Sequence, residues 1–213
     1  MFRQRLRASV AQVGQALKEP EAFALRWHRE GTPYDWPVFA ALAVTAILGT
    51  TTYGMIMGLL AGPQQMFTAG LKCTLAAGVG WSLPLPALYI LNSLAGSRLR
   101  ASTTFLAALV TTSWGGLAMI ASIPIAWFFT AALPKDIRFF DLLMHRELAV
   151  LLVHLVVFTG VGVAMTDVFS RVMQSLEPER GRLPAFWLLL VGAIGGELFY
   201  AFDLFQFKAL GWF

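Results

Sequence analysis

Five long apolar stretches, none holding more than two acidic or basic side chains, constrain this chain more than any other feature. A bilayer core of about 30 Å is crossed by about 20 mostly apolar helical residues. The stretches run from about Trp36 to Ala61, Leu71 to Ala95, Ser102 to Leu133, Leu148 to Ser170 and Pro184 to Phe207. The first and third carry no charge, and the second has only Lys72 near its mouth. Composition agrees: 57% of the 213 residues are hydrophobic and 13% are charged, against about 45–50% and 25% in soluble domains. The pattern predicts an all-α, polytopic membrane bundle of about five spans. Residues 1–35 form a cytoplasmic interfacial segment, 36–207 the membrane domain and 208–213 a short aromatic tail. What remains outside the spans has no room for a soluble catalytic domain.

The first eighteen residues have a different pattern. Phe2, Leu6, Val10, Val13 and Leu17 recur at steps of three or four and share one helical face, with Arg3, Arg5, Arg7, Gln4 and Gln12 filling much of the rest. Such a helix lies in the membrane interface or docks on the protein's own spans, and both readings stand equally. It lacks the short apolar run after basic residues that marks a secretory signal. Of the sixteen Lys and Arg residues, eleven fall in the N-terminal segment and the second and fourth loops. That bias places the N-terminus in the cytoplasm. The basic residues flank spans rather than lining a nucleic-acid face.

Within the spans, Pro84 and Pro86 remove two backbone donors, so the second helix kinks or opens. An opened helix would line a substrate site, as in some transporters; with no matching repeat, a kink repaired by Ser82, Thr74 or a neighbouring helix leads. Pro124 is expected to break the overlong third span toward its outer end. Gly115 and Gly116 in the third span, and Gly192 and Gly196 in a G-x-x-x-G of the fifth, read as positions where helices pack closely.

Ionisable groups inside a span are costly unless neutral or paired, which makes them candidates for function. Glu197 falls near the middle of the fifth span, with Asp203 about 120° around the helix at about 100° per residue. His154 lies in the outer half of the fourth. A proton or cation path would use Glu197 with His154; otherwise Glu197 is protonated or hydrogen-bonded to a Thr, Ser or Trp of another span, or Glu197 and Asp203 meet a subunit or bound cofactor. In the third loop, Asp141 and His145 are spaced as on one helical face, but two such residues do not define a metal site. A solvated loop is the leading reading there. No Walker loop, H-E-x-x-H or G-x-S-x-G is present, and Cys73 has no acid–base partner in the sequence. These features predict no catalytic residues, no metal and no cofactor.

Several residues carry a family resemblance. Pro20 and Phe23 precede the first span, Gly62-Pro63 follow it, and Lys72 opens the second. Leu85-Pro86-Ala87-Leu88-Tyr89, Asn92, Gly96-Ser97-Arg98-Leu99 and Pro124-Ile125-Ala126-Trp127 follow. Over about Pro20 to Ser170 the chain resembles bacterial members of the Yip (Ypt-interacting protein) type membrane family. The resemblance implies five spans, a cytoplasmic N-terminus, a bacterial inner membrane and a non-enzymatic role through partners. Eukaryotic relatives act in vesicle traffic with prenylated Rab-type GTPases, but their Asp-Leu-Tyr-Gly-Pro signature is absent here, so that role is not carried over.

The expectation is therefore an accessory or structural membrane subunit that binds other membrane proteins, forms a homo-oligomer or organises the local bilayer. The alternative is a small channel or transporter using the Pro84/Pro86 break and Glu197. The aromatic run from Phe199 to Phe213 reads first as interfacial anchoring, and otherwise as a surface for lipid, pigment or a neighbouring subunit.

Overall fold

The computed structural model describes the backbone of residues 2–31, 34, 36–134, 136–139, 142–180 and 185–204, and the side chains of 10–31, 34, 36–134, 146–179 and 189–204. Its helices are α1 (Phe2–Lys18), α2 (Pro20–Glu30), α3 (Trp36–Met57), α4 (Pro63–Ser82), α5 (Pro84–Leu94), α6 (Ala101–Ala132), α7 (Arg146–Leu176) and α8 (Ala185–Ala201). A two-stranded antiparallel hairpin, β1 (Asp136–Phe139) and β2 (Leu142–His145), joins α6 to α7. Four segments are long and apolar enough to cross a membrane: α3, α4 with α5, α6 and α7. The chain is thus an all-α membrane protein in its spanning part.

The centre of the bundle is the α3–α6 crossing, and its closeness has a backbone cause. A Cβ on Gly49 would collide with the backbone of Gly116, and one on Gly116 would lie 2.8 Å from Ala46 Cα. Glycine on both helices removes the side-chain layer and brings the two backbones together. Ser113 Oγ spans the contact and donates to the Leu42 carbonyl at 2.7 Å. On the other side of α3, a Cβ on Gly54 would lie 2.6 Å from Cys73 Cβ of α4. There the Thr51 and Thr74 hydroxyls bond to each other at 2.7 Å. A Cβ on Gly115 would meet the Met165 side chain of α7. Gly115 and Gly116 therefore pack helices, as their sequence context implies.

At one end of the bundle, α1 and α2 fold back onto the spans. Val13 and Ala16 of α1 are buried with Phe23, Tyr34, Val38, Leu42, Leu106 and Val110. Val10 remains 60% exposed, and the side chains of Phe2 and Leu6 lie outside the described set. The second half of the helix thus docks on the protein's own core. Tyr34 stacks on Phe23 with ring centroids 4.0 Å apart and donates its hydroxyl to the Phe23 carbonyl at 2.9 Å. Burial pushes the Tyr34 phenol above its ordinary range, so it stays a neutral donor. Arg171 of α7 pairs with Glu21 of α2 and with Asp167 one turn earlier. Glu177 accepts from Ser97 Oγ at 2.7 Å and from the Arg98 amide at 3.0 Å, which holds the α5–α6 loop to the end of α7.

Several expected boundaries are corrected. Pro124 does not break the third span: α6 runs unbroken through it for 32 residues. In a bilayer no water competes for freed backbone groups, so losing one bond costs less than unwinding the remaining turns. At a rise of about 1.5 Å per residue α6 is about 48 Å long, so it tilts or projects beyond the core. The Pro84/Pro86 segment, by contrast, stays helical rather than opening, in line with the leading expectation. Leu83 alone separates α4 from α5, keeps right-handed helical angles and donates its amide to Val79. His145 lies in β2 opposite Asp136 rather than on a helix, and Asp141 lies outside the described residues.

The last apolar helix is also shorter than the expected fifth span. α8 ends at Ala201, not Phe207. Asp203 takes the left-handed conformation (φ 47°). The Leu204 amide bonds to the Phe199 carbonyl, and the Asp203 amide to that of Tyr200. This is the paired bonding of a Schellman stop, and Leu204 returns into the core beside Phe199. Asp203 is therefore a helix-terminating residue. The 17 residues of α8 span about 25 Å at about 1.5 Å each, less than a full core crossing. Gly96, with φ 93°, closes α5 in the same way.

Candidate functional site

Two polar features stand out against the apolar bundle, and they lie on different surfaces. The first is inside. Tyr53, near the end of α3, is 0% exposed, and His154, on the third turn of α7, is 3% exposed. Their hydrogen bond, Tyr53 Oη to His154 Nδ1, is 3.0 Å, and the rings meet edge to face. Packing sets this geometry: Phe158, one turn along α7, lies edge-on to Tyr53 and in turn contacts Phe199 of α8. Leu151, Val161, Met119 and Cys73 belong to the same cluster. His154 Nε2 has no partner among the described residues. If the phenol donates to Nδ1, Nε2 carries a proton without an acceptor; if Nδ1–H donates, Nε2 is a bare acceptor. Either way at least one polar position of the pair is left open among the described residues, an exception to the usual pairing of buried polar atoms.

The second feature is outside. Glu197 is exposed on α8 and makes no hydrogen bond or ion pair among the described residues. It shares a face with Leu189, Gly192, Ala193, Gly196 and Tyr200, all exposed. Their spacings of three and one keep them on one side of the helix. A Cβ on Gly192 or Gly196 would meet nothing within 4 Å. The G-x-x-x-G is therefore not used within the described part of the chain, in contrast to Gly115 and Gly116. The opposite side of α8 rests on α4 and α5, where Gly80 lies beside Gly195.

The structure thus brings His154 together with Tyr53, whereas Glu197 sits on a separate, outward surface. Asp203 caps α8. Pro84 is buried at the kink while Pro86 and Pro124 are exposed. Sequence reasoning missed Tyr53, although a tyrosine inside a span needs a hydrogen-bond partner and His154, three spans further along the chain, is a natural one. It also missed that Glu21, Asp167 and Arg171 form a tie between α2 and α7. Among the described residues no group of three or more His, Cys, Asp or Glu side chains is placed to hold a metal.

Comparison with known proteins adds no relative. No family model, curated protein or solved structure matches the chain.

Proposed function

We propose that this protein is a non-enzymatic accessory or structural membrane subunit that acts by binding neighbouring membrane helices through the outward face of α8. The observation that carries the reading is the combination on that face: an acidic side chain without a partner among the described residues, beside two glycines that no described residue covers. An acid in an apolar helix is costly against lipid and is stabilised by a facing helix. Open glycines allow such a helix to approach closely. Under this reading α8 forms a fifth membrane-inserted segment beside the four long spans. The N-terminus lies in the cytoplasm, and Arg26, Arg29, Arg98, Arg100 and Arg171 mark that end. The Yip-type residues quoted above fit a bacterial inner-membrane protein of this kind.

The experiment is native electrophoresis of gently extracted membranes carrying the tagged chain or its Gly196→Leu variant. The reading predicts that the parent chain migrates in an assembly larger than one chain. It also predicts that Gly196→Leu migrates at the size of one chain while remaining folded, because the new side chain has open space within its own molecule. A parent chain migrating alone, or an assembly indifferent to Gly196→Leu, would contradict the reading.

A further inference from the structure

The short connection between α5 and α6 is held against the bundle rather than extended into water. The second span ends at Leu94, and Gly96 turns the chain with φ 93°. Ser97 Oγ and the Arg98 amide both donate to the Glu177 carboxylate of α7, and Ser97 Oγ accepts the Leu99 amide. Leu99 is 5% exposed and belongs to a core cluster with Leu85, Leu88, Phe169 and Val172. Side chains alternate along an extended chain. With Leu99 turned inward, Arg98 and Arg100 on either side of it are both exposed.

Neither arginine forms an ion pair among the described residues. The Glu177 carboxylate already accepts from Ser97 and from the Arg98 amide. The other basic side chains of this end differ. Arg171 pairs with Glu21 and Asp167, and Arg26 and Arg29 share α2 with the exposed Glu30.

An apolar surface leads up to these two arginines. Leu83, Ile90 and Leu94 recur at steps of seven and four, so they lie on one side of the α4–α5 segment. All three are exposed, Leu94 at 78%. Along the span, then, an apolar flank is followed by two free cations, which is the order of acyl chain and headgroup in a phospholipid. The guanidinium fork matches phosphate oxygens, and basic side chains beside a span attract anionic lipid. A zwitterionic headgroup brings its own cation next to the phosphate, so two arginines without carboxylate partners fit an anionic headgroup better.

We propose that Arg98 and Arg100, with the exposed face of Leu83, Ile90 and Leu94, form a binding site for an anionic phospholipid at the α5–α6 turn. The inference rests on the four long membrane spans and is independent of the outward face of α8.

Native mass spectrometry of the full chain in neutral detergent tests it, with phosphatidylglycerol and phosphatidylcholine of the same acyl chains titrated in turn. Phosphatidylglycerol is expected to bind about ten-fold more tightly, a difference within reach of two charge-assisted contacts. Arg98→Gln combined with Arg100→Gln, first shown by an unchanged Tm to be folded, is expected to remove that preference. The same exchange at Arg26 and Arg29 is expected to keep it. Leu94→Gln is expected to weaken the binding of both lipids, because it wets the face that holds the acyl chains. Equal affinity for the two lipids in the parent chain, a preference that survives the Arg98 and Arg100 exchange, or full binding by Leu94→Gln would overturn the site. An equal loss in the Arg26 and Arg29 control would also overturn it, as diffuse surface attraction. Displacement of the lipid by glycerol 3-phosphate at the same concentration would overturn the lipid as occupant in favour of a soluble phosphate.

Discussion

The α3–α6 crossing and the outward face of α8 use the same residue type to opposite ends. At Gly49 and Gly116 the missing side chains are filled by the other helix's backbone, and no Cβ would fit. At Gly192 and Gly196 the missing side chains leave empty surface. The first region also bridges its helices with a hydrogen bond, from Ser113 Oγ to the Leu42 carbonyl. The second carries Glu197, which has no partner among the described residues. One region is a completed helix contact. The other has the composition of a contact without the second helix.

Adding a methyl group probes the difference most strongly. Gly116→Ala drives a Cβ into the α3 backbone, so the expected loss is at least the 1–3 kcal/mol, roughly, of an overpacked core. Loss of the folded elution peak or a much lower Tm in detergent would show it; an unchanged Tm would mean the crossing is looser than described. Tyr53→Phe tests whether the inner pair is as closed as the crossing. Leaving His154 Nδ1 without a partner should cost about 1–3 kcal/mol, and pairing the change with His154→Leu should recover most of it. A double variant that folds well but loses the chain's biological activity would instead make the pair part of the function.

Asp203→Gly should raise stability by about 1 kcal/mol, because glycine takes the left-handed angle without the penalty of a side chain. Asp203→Val should move Tm the other way. Matching effects of the two changes would remove Asp203 from the helix stop. The smallest effect is expected at Gly196→Ala in dispersed single chains, within about 0.5 kcal/mol, as at other open positions. A loss comparable to that of Gly116→Ala would erase the contrast between the regions.

How much of this was legible in the sequence follows from range. The four long spans were readable because an apolar run is a local property. Their packing glycines stood out in Thr111-Thr112-Ser113-Trp114-Gly115-Gly116. Whether a glycine meets a backbone or open surface depends on which helix lies opposite, so Gly192 and Gly116 looked alike. Pro124 was expected to end a helix because soluble chains can hydrate the freed carbonyls; in a span that outlet is missing. The stop at Ala201 was hidden because an aspartate supplies the left-handed residue where glycine is usual. His154 was found as a buried ionisable residue, but its partner lies 101 residues away. That Glu197 lies on the last apolar helix was readable from the sequence, but not that it faces outward.

Lipid accessibility of single nitroxide labels in reconstituted bilayers tests the central claim most directly, with one label at Ala193 on α8 and another at Val156 on α7. Both positions are exposed on the isolated chain. The account predicts that oxygen, which concentrates in the bilayer, relaxes the Val156 label strongly and the Ala193 label weakly, because a facing helix covers α8. It also predicts that Gly196→Leu brings the Ala193 label up to the Val156 value. Equal, high accessibility at the two positions in the parent chain would contradict it, since the face bearing Glu197 would then be open to lipid.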